Sequence, residues 1–159
     1  MDKKLIPHHF DDASLESARQ HFQKFLRTKE LKLTGQRDDV LVRAAHMTGH
    51  FTADDMVDAF AKRKTRPSKA TVYRTLSLLT ACKVLEEHAI ARRSSSVYEF
   101  AWGRDHHDHL ICTVCGTIIE FMCQEIEDLQ DNVAERHGFT AEFHSQKIYG
   151  TCRKCHSRT

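Results

Sequence analysis

A chain of 159 residues, 40% hydrophobic, with 24 Lys+Arg against 22 Asp+Glu, is long enough for one domain or two small ones and reads as an ordinary soluble globular protein. No apolar run approaches the roughly 18–20 residues of a membrane span. The start, Met1-Asp2-Lys3-Lys4, lacks the apolar core of a signal peptide, so a cytoplasmic protein without a membrane partner is expected. The near-neutral total hides a split: residues 1–104 carry 19 Lys+Arg against 13 Asp+Glu, whereas residues 105–159 carry 5 against 9. The first part suits a polyanion partner and the second suits cations.

Residues 1–13 show no period and read as a flexible arm, in which His8 and His9 are solvated. From Ser14, taken as the N-cap, Leu15, Ala18, Phe22, Phe25 and Leu26 recur at helical spacing. A second helix is expected over 35–45, capped by Thr34, with Val40, Leu41 and Ala44 inward. Thr52 caps a third over 53–62, with Met56, Val57, Phe60 and Ala61 apolar, and Asp54-Asp55 complement its N-terminal dipole. A cationic linker, residues 62–69, holds Pro67 as a breaker and leads into the helix 70–79, which turns Val72, Leu76 and Leu79 inward.

The other side of that helix carries Thr71, Tyr73 and Arg74. Hydroxyl, phenol and guanidinium at a helix start, after a cationic loop ending in Ser68 and Lys69, are suited to a major groove. The loop would hold phosphates while the helix reads base edges. Residues 84–90 and 96–100 read as two strands joined by a basic tip, 91–95, so this half is expected to be a winged helix-turn-helix domain. A basic run alone is often only a solvated face; the order of elements is what favours DNA.

In the second half, strands are expected over 110–114 and 117–121, a helix over 124–136 with Ile126, Leu129 and Val133 inward, and a third strand over 140–149. Such an α+β unit has a sheet too small to cover both its faces, which favours dimerisation. Cys112-x-x-Cys115 and Cys152-x-x-Cys155 supply four soft ligands, the pattern of a closed tetrahedral structural zinc site. A thioredoxin-like redox pair is the competing reading, and two paired motifs on strand ends fit it poorly. Cys82 and Cys123 read as small apolar fillers. If residues 106–112 form a strand, His107 and His109 share one face, and His106 and Asp108 share the other. Imidazole and carboxylate ligands suit Fe(II) or Mn(II) and are acceptable to zinc.

At Leu33-Thr34-Gly35-Gln36-Arg37, His50-Phe51-Thr52-Ala53-Asp54-Asp55, Ala70-Thr71-Val72-Tyr73-Arg74, His106-His107-Asp108-His109-Leu110-Ile111-Cys112 and Ile148-Tyr149-Gly150-Thr151-Cys152, the chain resembles the ferric uptake regulator (Fur) family of bacterial metal-dependent repressors. The resemblance runs from about Leu31 to Cys155. It implies an N-terminal winged helix-turn-helix domain (14–101), a hinge (102–105) and a small C-terminal α/β dimerisation domain (106–159). It further implies a homodimer, with a tetramer as the alternative, bound to double-stranded DNA at a palindromic operator. The family's regulatory ligands fall on His50, Glu99, His107, His109 and Glu120, and a second set falls on His106, Asp108, Glu127 and His144. The structural zinc falls on Cys112, Cys115, Cys152 and Cys155. Tyr73 and Arg74 match the family's base-contacting pair, and Lys32 stands where the family sends a Lys into the minor groove.

Glu at both 99 and 120 favours Fe(II) as the regulatory ion, with Mn(II) or Zn(II) as substitutes; the alternatives are the family's peroxide-sensing branch, which tends to carry Asp at both, and a zinc or manganese sensor. The chain departs from the family pattern at Gly35, where Pro is usual after the cap, and at Lys83, where a Gly usually ends the recognition helix. A zinc-dependent enzyme is the rival of another class. A nucleotide deaminase would need His-x-Glu before its Cys-x-x-Cys, whereas this chain has His107-Asp108-His109.

Overall fold

The computed structural model describes residues 11–89 and 96–157, so the expected arm (up to residue 10) and the hairpin tip (91–95) lie outside the described residues. Contacts divide the chain into two compact units, one ending at Arg104 and the other beginning at Asp105.

The first unit opens with α1 (Asp12–Thr28). Its cap is Asp11, not Ser14: the Asp11 carboxylate accepts the Ser14 N–H at 2.8 Å. A charged acceptor three residues earlier satisfies an orphan donor and adds favourable charge at the dipole's positive end, so it wins over the neutral hydroxyl. Then comes α2 (Gly35–Ala45), capped by Thr34 as expected. The two-residue β1 (Phe51–Thr52) had no sequence signal, since two residues cannot show a period; it leads into α3 (Ala53–Ala59). Thr52 and Asp55 form a reciprocal capping box at its start. The helix stops short of the expected residue 62, giving way to i→i+3 turns at Phe60, Ala61 and Arg63.

The Ser68-capped α4 (Lys69–Ala81) buries Val72, Thr75, Leu76 and Leu79. It ends in a Schellman motif: Lys83 N–H donates to the Thr80 carbonyl and Val84 N–H to that of Leu79. Lys83 takes φ +63, the conformation that glycine adopts without penalty. Antiparallel β2 (Leu85–His88) and β3 (Val97–Phe100) follow, and the sheet order is β1-β3-β2. Four helices on a small antiparallel sheet, around a core that includes Phe22, Leu26, Leu41, Met56 and Leu76, make a winged helix-turn-helix unit.

The second unit contains β4 (Asp108–Cys112), β5 (Ile118–Phe121), α5 (Gln124–Arg136), β6 (Lys147–Gly150) and α6 (Arg153–His156). Its sheet order is β5-β4-β6, antiparallel to β5 and parallel to β6. Three expectations are corrected here. The strand begins at Asp108, so His106 and His107 precede it. Only 147–150 of the expected third strand pairs, because the register gives β6 just the partners His109 to Cys112 on the short β4. Finally, α5 has the expected bounds but buries none of its residues: Leu129 is 60% exposed and Val133 48%. Residues 139–146, which form no strand, leave beside α5 an open cleft of about 670 Å³, lined by Leu129, Val133, Phe139 and Phe143.

Candidate metal centres and nucleic-acid face

The strand β4 ends at Cys112, the turn through Gly116 presents Cys115, and Cys152 and Cys155 stand at the start and within α6. No disulfide joins these four, and their sulfurs lie within 4.8 Å of one another. Cys115 Sγ and Cys152 Sγ are 3.7 Å apart. A tetrahedral ion with metal–sulfur bonds of ~2.3 Å requires sulfur separations of about 3.8 Å, so the donors fit zinc. Backbone N–H groups of Cys115 and Cys152 bring the Cys112 pKa down to about 6. The neighbouring sulfurs, Cys115 first, push Cys155 up to about 12. A divalent ion among the four would favour the thiolate form of each, so binding there would release protons.

At the other end of β4, His106, Asp108, Glu127 and His144 converge. The His106 and His144 Nε2 atoms are 2.7 Å apart, His144 lies 3.0 Å from Glu127, and His106 lies 3.4 Å from both Asp108 and Glu127. Asp108 is fully buried, and neither carboxylate oxygen has a hydrogen bond. A buried carboxylate lacking such bonds needs a cation nearby. Two imidazoles and two carboxylates make a hard-to-borderline donor set for a divalent ion.

On the opposite parity, the His107 and His109 rings lie 4.9 Å apart, and His109 pairs with Glu120 across the β4–β5 register. The ligand atoms of these three lie within 4.8 Å of one another. His107 Nδ1 is 2.9 Å from the Asp105 carbonyl; a carbonyl only accepts, so Nδ1 carries the proton and Nε2 is left as the donor nitrogen for a metal.

In the first unit, His50 Nε2 lies 3.5 Å from Glu99 Oε2. Two residues that the sequence did not single out join them: His88, 2.9 Å from Glu99 Oε1, and Arg104, 2.7 Å from Oε2. No spacing rule marks His88, which comes near Glu99 only through the pairing of β2 with β3.

The first two turns of α4 display the expected nucleic-acid face. Tyr73 is 40% exposed and Arg74 is exposed. The Tyr73 hydroxyl donates to Asp54 at 3.0 Å, and Lys69 pairs with the same carboxylate at 2.9 Å, its ammonium 5.5 Å from the Tyr73 ring centre. These two donors hold the Asp54 carboxyl below its ordinary pKa. Ser68 caps the helix and meets Thr71 at 2.9 Å. Lys32 is exposed in the segment between α1 and α2.

Residues 28–149 match the sequence model of the ferric uptake regulator family. The chain belongs to that family. Members of the ferric uptake regulator family are metal-responsive transcriptional regulators rather than enzymes, and they are generally dimeric. The ferric uptake regulation protein of Neisseria meningitidis is 34% identical over 134 residues, covering 84% of this chain and 92% of that one. That of Campylobacter upsaliensis is 36% identical over 140 residues, covering 87% and 88%. Among solved structures, the Helicobacter pylori ferric uptake regulator, described as having three functional metal binding sites, superposes with a TM-score of 0.72 at 28% identity. It covers 89% of this chain and 93% of its own. The Pseudomonas aeruginosa ferric uptake regulator with manganese gives 0.69 at 29%, covering 82% and 96%. Among the described residues, no helix is long and apolar enough to cross a membrane.

Proposed function

We propose that this chain is an iron-responsive repressor of the cytoplasm, acting as a homodimer on a palindromic DNA operator. Residues 14–101 read DNA, 102–105 form a hinge, and 106–159 dimerise and hold structural zinc on the four paired cysteines. His50 and Glu99 from the first unit, with His107, His109 and Glu120 from the second, are the regulatory ligands; His106, Asp108, Glu127 and His144 form a further set. Fe(II) is the regulatory ion, with Mn(II) or Zn(II) able to substitute.

The observation that carries this reading is that each unit offers an incomplete set of nitrogen and oxygen donors. His50 and Glu99 are 3.5 Å apart in one, and His107, His109 and Glu120 cluster in the other. Neither alone satisfies the five or six ligands that Fe(II) or Mn(II) takes, but together they do. A divalent ion bound there would supply a cross-link between the units. Fixing the hinge lets both α4 helices of a dimer meet successive major grooves, with Tyr73, Arg74 and Thr71 at base edges and Lys32, Ser68 and Lys69 on the backbone or minor groove. A few kcal/mol of preference for the fixed arrangement is enough to switch occupancy.

The test is anaerobic Fe(II) titration with retardation of a palindromic duplex. His107→Ala should lose metal-dependent binding while retaining zinc and fold, and wild-type binding should weaken steeply with salt. Unchanged metal activation of the His107→Ala protein would overturn the ligand assignment.

A further inference from the structure

Glu99 is fully buried, and three nitrogen-bearing side chains of its own unit converge on it. Two are imidazoles, whose charge depends on pH. The third is the guanidinium of Arg104, itself only 9% exposed, which is always charged. The carboxylate therefore has a permanent positive partner at 2.7 Å supplied by the chain.

That partner holds the same oxygen, Oε2, that faces His50 Nε2 across 3.5 Å. An ion bonded to both atoms at roughly 2.0–2.2 Å would fit that span and would sit against the oxygen Arg104 occupies. The ion and the guanidinium would then lie within about 5 Å of each other, in surroundings where repulsion between like charges is poorly screened. The two compete for the same oxygen.

We propose that Arg104 is an internal competitor of the regulatory metal ion. Its guanidinium occupies Glu99 in the metal-free protein, is displaced when a divalent cation binds, and thereby sets the metal concentration at which the protein responds. This rests on the reading of His50 and Glu99 as regulatory ligands. The local backbone suits the exchange. Arg104 lies beyond the end of β3, in a turn closed by its N–H on the Ala101 carbonyl at 3.3 Å and containing Gly103 at φ +72. Its side chain can swing away without breaking a strand hydrogen bond of the β1-β3-β2 sheet. Competition lowers the apparent metal affinity by the fraction of molecules in which Glu99 is held. A hydrogen bond between charged groups of this kind corresponds to roughly 10- to 100-fold.

The experiment uses the full-length, zinc-loaded protein with Mn(II) as probe, free Mn(II) being read by electron paramagnetic resonance. A His144→Ala background silences the second histidine set. Arg104→Gln should bind Mn(II) about 10- to 100-fold more tightly at unchanged stoichiometry. Arg104→Lys, which keeps the charge but loses the planar fork, should fall between Gln and wild type. Equal or weaker Mn(II) binding by Arg104→Gln, with unfolding temperature unchanged, would mean that Arg104 holds Glu99 in place for the metal, and overturns the proposal. If the Gln variant fails to fold, Arg104→Lys decides by the same criterion: tighter than wild type supports, equal or weaker overturns. Glu99→Gln separates this from the underlying reading. Loss of the Mn(II) site in that variant, beside an unchanged Arg104→Gln, sinks the competitor alone; retention of the site sinks the ligand assignment as well.

Discussion

The two units reach an ordered structure by different means. The first closes an apolar core in which Phe22, Leu26, Leu41, Met56, Leu76 and Leu79 are out of contact with solvent. In the second, the buried side chains among the described residues are Asp108, His109, Ile111 and Cys112, three of them candidate metal ligands, while Phe139 and Phe143 are 73% and 82% exposed. Removing apolar area from water at about 25 cal/mol per Å² can carry the first unit. The second has too little enclosed apolar area for that. On the proposed assignment its ligands and the covering of its open cleft would make up the difference, and the unit that senses would also be the one whose fold depends on what it binds.

The sharpest way to break this contrast is to remove zinc. Chelation under reducing conditions, or Cys152→Ser, should melt the second unit while the helices of the first persist, as read by circular dichroism and by protection of amides over 12–81. Loss of both units together, or of neither, would show that the contrast is false. Next in size, Leu76→Ala should destabilise the first unit by about 2–5 kcal/mol in denaturant titration and leave zinc content unchanged.

Smaller effects follow at caps. Thr52→Ala removes one side of the capping box of α3 and should cost about 1 kcal/mol. Lys83→Gly relieves a left-handed residue at the end of α4 and should raise stability by about 0.5–1 kcal/mol, seen as a higher midpoint with unchanged slope. Sedimentation adds a test of the exposed face. Leu129→Glu should leave unfolding of the isolated chain nearly unchanged but weaken self-association, since a charge there meets water in the monomer and an apolar neighbour in a dimer. Undiminished association would mean that the cleft is not part of the covered surface.

The helices of the first unit were legible because each combines a cap with one apolar stripe, as Thr34 with Val40, Leu41 and Ala44, or Ser68 with Val72, Leu76 and Leu79. The readings that missed lie where two local signals compete or none exists. Asp11 and Ser14 both can cap α1, and the choice depends on geometry that composition does not encode. The stripe Ile126, Leu129 and Val133 has a helical period, and α5 is indeed a helix with the expected bounds. A period tells which side is apolar, not whether anything covers it.

By itself, the sequence determined the winged helix and the two cysteine pairs, which follow from local rules of capping and chelate spacing; strand alternation covers only 108–112, so the placing of His106 and His107, which precede the strand, belongs to the tertiary structure. Only tertiary structure decided that Glu99 is sealed between His50, His88 and Arg104, and that Asp108 is buried beside two imidazoles. Such clusters join residues distant in the chain, and the cost of burying a charge, which gives them their meaning, exists only once the surrounding elements have excluded water.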